Sequence, residues 1–150
     1  MSENLHSDIY NKALDIISRR EHSIKEVNDK LSRKFDADEV IDSVIEKLIL
    51  NNLINDSRFA EMYTSARKRK GFGPKRIGYE LSTKGVKEYI ASEAIEEEGG
   101  WTESALNVFK KKYRNVPASD FKESMKQKTF MQNRGFTFKE IESVMRQDML

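Results

Sequence analysis

At 150 residues, with 37% hydrophobic and 35% charged side chains, the chain suits one medium domain or a short array of small modules. It has no cysteine, which excludes disulfides and thiolate metal sites. The net charge of +2 is unevenly spread: residues 1–50 carry 8 basic and 11 acidic side chains, residues 101–150 carry 10 and 6. A local field of this kind steers an anionic partner more than the total does.

Residues 1–8 are polar and acidic, unlike a signal peptide, and read as a disordered N-terminal tail. The apolar run Leu48-Ile49-Leu50 is far too short to span a bilayer, so no membrane role and a cytoplasmic location are expected. Tyr10, Ala13, Leu14 and Ile17 then line one face of a first helix. It ends in Arg19 and Arg20, a basic helix end that is also a candidate partner contact. Ser23 with Glu26 forms a capping box for a second helix, with Ile24, Val27 and Leu31 inward. Asp36 with Glu39 is expected to start a third in the same way, carrying the stripe Val40, Ile41, Val44, Ile45 and Leu48.

A second helical triplet opens near Asp56, with Phe59, Met62, Tyr63 and Ala66 on one face. Its first helix runs into Arg67, Lys68, Arg69 and Lys70, followed by Gly71, Phe72, Gly73, Pro74, Lys75 and Arg76. Six of these ten side chains are cationic. Cations suit the negative carbonyl end of a helix, so Arg67 to Lys70 need no ligand. Lys75 and Arg76 instead sit where a helix start prefers acids, a conflict that suggests an external anion. Phe72 has two open roles: to stack on a base or fill a partner's pocket, or to pin the turn to the core. Gly73 and Pro74 fit a helix start and Gly85 a stop. Gly78, inside that helix, costs roughly 1 kcal/mol against Ala unless it allows close helix packing.

A third triplet opens at Trp101, with Leu106, Phe109 and Tyr113 on one face and the basic end Lys110 to Arg114. Pro117 marks a break, a second helix is expected from Ser119 to Arg134 with Phe121, Met125, Phe130 and Met131, and Thr137 with Glu140 caps the last, which is expected to bury Phe138, Ile141, Val144 and Met145. The triplets overlie one another at a spacing of 50: Leu31, Leu81 and Met131 coincide, as do Val44, Ala94 and Val144. Such periodicity indicates stacked supersecondary units. The expected fold is all-α, with three tandem three-helix repeats, about nine helices, in an elongated, curved array. The repeats are placed at residues 9–54, 55–98 and 99–150, with the basic middle one as main contact.

Residues 13–23, 53–61, 71–86 and 134–141, among them Gly71-Phe72-Gly73-Pro74-Lys75-Arg76, resemble the RecX family of bacterial recombination regulators. Together they cover most of residues 10–145. The resemblance implies a fold of three tandem three-helix repeats, and a non-enzymatic modulator of the RecA recombinase; separately, no exposed heptad suggests a coiled-coil dimer, and a monomer is expected. Such a modulator binds in the groove of the RecA–DNA filament and reduces ATP hydrolysis, strand exchange and the co-protease activity behind the SOS response. It also implies direct contact with single- or double-stranded DNA in some members. The contact residues expected here are Arg67, Lys68, Arg69, Lys70, Phe72, Lys75 and Arg76, with Arg19 and Arg20. A helix-turn-helix-like DNA-binding transcription regulator is the alternative, and a helical scaffold a third reading. No cofactor or metal is expected: there is no Walker-type glycine loop, and the two histidines have no cysteine companions.

Overall fold

The computed structural model describes residues 2–114 and 118–148, so the expected break at Pro117 lies outside the described residues. Among them the chain forms α1 (Ser2–Arg19), α2 (Ile24–Lys34), α3 (Asp38–Leu50), α4 (Asp56–Arg69), α5 (Pro74–Thr83), α6 (Glu88–Glu98), α7 (Trp101–Tyr113), α8 (Phe121–Arg134) and α9 (Phe138–Asp148). There is no strand among the described residues. The fold is all-α, three tandem triplets.

Local chemistry explains most helix boundaries. The Ser23–Glu26 capping box at α2 is formed in both directions, satisfying two backbone donors that a helix start leaves orphaned. Thr137 and Glu140 do the same at α9, with bonds of 2.9 and 3.2 Å. At α8 the cap is Asp120, whose carboxylate accepts from the Glu123 N–H at 2.8 Å. This helix therefore begins after the expected Ser119.

Other expectations fail as well. The Asp36 box does not form: α3 begins at Asp38, with Ala37 in the cap position and no side-chain cap. Phe35 and Ala37 both pack on the core, which draws the chain out through the exposed Asp36. The disordered tail is also overturned over residues 2–8, which lie within α1. Leu5 packs on the same core as Ile9 and Ala13, so the apolar stripe extends one turn further than the sequence reading allowed.

Compactness divides the chain into two units, Met1–Met62 with Leu81–Ala91, and Tyr63–Glu80 with Ser92–Leu150. The core of the first holds Ile9, Ala13, Val27, Leu31, Ile41, Val44, Leu48 and Ile54. That of the second includes Ala105, Phe109, Met131, Phe136, Ile141 and Val144. The spacing of 50 survives in burial: Ile9, Phe59 and Phe109 are all essentially fully buried, as are Leu31, Leu81 and Met131.

A related junction occurs once in each unit. In the first, the Ser23 hydroxyl donates to the Lys84 carbonyl at 2.8 Å, and Lys25 lies against Gly85. In the second, the Gly73 N–H donates to the Arg134 carbonyl at 2.7 Å and the Lys75 N–H to the Gly135 carbonyl at 2.9 Å. Arg76 lies against Gly135 there. The starts of α2 and α5 thus each dock on a glycine stop about sixty residues downstream.

Candidate partner interface

The basic stretch is divided between internal pairing and open charge. Glu80 gathers three donors. The Tyr63 hydroxyl donates to it at 2.8 Å, Arg67 donates through two nitrogens at 2.9 Å each, and Arg76 donates at 3.2 Å. Burial opposes ionisation of Glu80, but the hydrogen bonds from Arg67, Tyr63 and Arg76 outweigh it and hold the carboxyl below its usual value. The same pairing raises Arg67. The conflict posed by Arg76 at a helix start is thus partly resolved within the chain, by a carboxylate one turn along.

Phe72 lies among three guanidinium groups, whose carbons stand 4.0 Å (Arg67), 4.3 Å (Arg76) and 5.0 Å (Arg134) from the ring centre. Cations over an aromatic face are attracted by its quadrupole. Of the two roles open to Phe72, this surround favours pinning the turn. Lys68 is likewise held: its ammonium donates to the Gly99 carbonyl at 2.7 Å, meets Glu98 at 3.3 Å and lies over Trp101.

Other cations near this stretch lack a carboxylate partner among the described residues. Among the described residues, Lys70, Lys75, Lys111 and Lys112 form no ion pair, and Arg69 bonds only to the Ser65 hydroxyl. All five are exposed. Lys68, Arg69, Lys70, Lys111, Lys112 and Arg134 line a groove of about 730 Å³ within the second unit, opposed among the described residues by Glu98 and Glu103. Such a groove attracts anions, acidic side chains or phosphates alike.

In the first unit, Arg19 pairs with Asp15 at 3.5 Å and is largely exposed. Arg20 makes a two-pronged contact with Glu26 at 3.1 and 3.2 Å and is about half exposed. Arg20 is therefore engaged in holding the α2 cap, while Arg19 keeps most of its surface free.

The structure thus brings Arg67, Phe72 and Arg76 into one cluster, and Lys68, Arg69 and Lys70 onto one groove. It adds Arg134, which sequence reasoning left out, and draws in two lysines of the basic end Lys110 to Arg114. Arg134 joins both features, donating to the Lys70 carbonyl at 3.3 Å, and Lys111 and Lys112 complete the groove. The signal for Arg134 was its 50-residue offset from Lys84. No group of three histidine, aspartate or glutamate residues is placed to hold a metal among the described residues.

Comparison with known proteins points one way. Family models described as the first, second and third three-helix domains of RecX match residues 10–48, 55–95 and 102–145. The regulatory protein RecX of Halorhodospira halophila is 34% identical over 126 residues, spanning 83% of this chain and 78% of that one. The regulatory protein RecX of Vibrio vulnificus is 36% identical over 130 residues, spanning 86% and 85%. The crystal structure of RecX from Lactobacillus salivarius superposes with a TM-score of 0.86 at 29% identity, over 97% of both chains.

Proposed function

We propose that this chain, which belongs to the RecX family of regulatory proteins, acts by binding the RecA–DNA filament and inhibiting the recombinase. The observation that carries the reading is the set of cations on the second unit that the chain leaves without carboxylates, Lys70, Lys75, Lys111 and Lys112. A regulator of a nucleoprotein polymer needs such charge to face acids on the recombinase or phosphates of its DNA. Arg19 offers a further contact from the first unit. Engaging several filament subunits through separate weak patches raises avidity without a strong single contact. Held in this way, subunits neither add monomers nor turn over ATP.

The chain works as a single copy, in the cytoplasm where such filaments form. At position 35, the counterpart of Gly85 and Gly135, stands a phenylalanine packed on the first core. The end of α2 therefore lacks the glycine stop that receives a helix start elsewhere. No helix among the described residues is long and apolar enough to cross a membrane.

The test is RecA ATP hydrolysis on single-stranded DNA, titrated with this protein well below one copy per recombinase. Inhibition at those ratios is expected, with half-inhibiting concentration rising at least tenfold in the triple charge reversal Lys70→Glu, Lys75→Glu, Lys111→Glu. Helicity and melting temperature should stay close to wild type, because none of the three is paired. Tight binding to particular DNA duplexes without inhibition would instead mark a transcription regulator. An unaltered triple variant would refute the patch.

A further inference from the structure

We infer that the notch formed by α5 and the turn between α8 and α9 takes an acidic peptide segment carrying one apolar side chain, contributed by the protein partner. The inference rests on the recombinase reading and specifies the chemistry of one of its contacts. The notch, about 470 Å³, lies within the second unit and is lined by Lys75, Tyr79, Gly135, Phe136 and Phe138 among others. Tyr79 and Phe138 are 71% and 75% exposed, the latter against the expectation that the last helix buries it, whereas Phe136 is buried.

The related junction of the first unit shows that the fold does not require these aromatics. Fifty residues upstream of Tyr79 and Phe138 stand Asp29 and Glu88. There Asp29 binds Lys25 at 2.8 Å, and Lys25 is the counterpart of Lys75. Replacing the acid by Tyr79 removes the lysine's own carboxylate and puts an exposed ring in its place. Two changes at one spot leave a bare cation beside two bare rings. Exposed rings that neither support the core nor cover one another gain only by being buried against something else, and aromatic residues dominate the energetics of such contacts.

Charge decides what that something is. Arg76 is already held by Glu80, so the notch presents one uncommitted cation, Lys75. A phosphodiester track wants a row of cations following the backbone. One cation flanked by rings matches one carboxylate next to an apolar side chain. The occupant is therefore an acidic peptide segment with a hydrophobic anchor.

The variants to make are Tyr79→Asp and Phe138→Glu, singly and together, which install the residues of the first junction. In the RecA ATPase titration the double variant should need at least tenfold more protein for half inhibition, with circular dichroism and melting temperature unchanged. A p-benzoylphenylalanine at position 138, irradiated on the filament, should cross-link to an acidic recombinase segment identified by mass spectrometry. If the double variant loses helicity, Tyr79→Ala, which keeps the helix propensity of α5, should still weaken inhibition at least threefold. Wild-type inhibition with unaltered variants overturns the notch alone. Cross-links only to DNA, or only to a second copy of this chain, also overturn it. A wild-type chain that leaves hydrolysis unchanged sinks the recombinase reading, and the notch with it.

Discussion

The backbone N–H of Gly73 meets the carbonyl of Arg134 at 2.7 Å, and this approach leaves no room for a side chain. A Cβ on Gly73 would stand 2.5 Å from the backbone of Gly135 and Phe136. Serine is the better helix cap in isolation, and Ser23 holds the corresponding place in the first triplet. At position 73 it must lose. Gly73→Ser is expected to destabilise the protein by about 2 kcal/mol or more, in the range of forced overpacking. Urea denaturation of the variant against wild type measures it.

Gly78 makes the opposite case. A Cβ there would meet only Ile95 Cδ1, at 3.6 Å, an ordinary contact, and the backbone is not in the left-handed region. Close packing, the one compensation the sequence left open, is therefore not the reason for this glycine. Gly78→Ala should stabilise the protein by about 1 kcal/mol, the helix-propensity difference. Thermal melting would show a rise of a few degrees, and a fall would mean that Ile95 cannot give way.

These two glycines show what the sequence could and could not convey. Triplet spacing, helix stripes and capping boxes are local or periodic, so Ser23, Thr137 and the 50-residue register were legible. The Arg67–Glu80 and Phe72–Arg134 contacts depend on which helix faces meet, and that information is spread over 13 and 62 positions. Charge counting also treated Arg76 as free, because it ignored the acid one turn along at Glu80. Lys75, its neighbour, points to the other outcome: no carboxylate lies at its own i+4 position, which is Tyr79.

Glu80 should govern part of the acid sensitivity. Its carboxyl is about one-fifth exposed and titrates below its ordinary value of 4.5, burial being outweighed by hydrogen bonds from Arg67, Tyr63 and Arg76. A carboxylate with a depressed folded pKa contributes stability in full above its unfolded pKa and loses it as pH falls through the folded one. Glu80→Gln is therefore expected to cost about 2 kcal/mol near neutrality, the scale of charged hydrogen bonds. Below pH 4.5 the gap from wild type should narrow. Asp56, whose carboxyl burial pushes up, acts in the reverse sense but equally in both proteins, so the difference between them isolates Glu80. A gap independent of pH would show that Glu80 acts through packing and not through charge.

His22 supplies a sensor at milder pH. The ring is almost fully buried. Nδ1 lies 2.9 Å from the Arg20 carbonyl and Nε2 lies 2.8 Å from the Lys30 ammonium. Lysine only donates, so Nε2 must accept and the proton sits on Nδ1, donated to Arg20. The neutral ring satisfies both partners, and a second proton would face Lys30 directly. Burial is the main cause that lowers the His22 pKa from 6.5, with the Arg20 and Lys30 charges adding to it. Above 6.5 both folded and unfolded states are neutral there and the contribution is complete. As pH falls below 6.5 the unfolded chain takes up the proton first, and stability is lost until the folded pKa is reached. His22→Phe, which places the residue found at Phe72 in the corresponding position, should flatten this slope while costing stability at neutral pH through the stranded Lys30. Denaturation at about pH 7.5 and about pH 5.5 should therefore separate the two proteins by less at the lower pH. An unchanged separation would mean that His22 takes up its proton as readily in the folded chain as in the unfolded one.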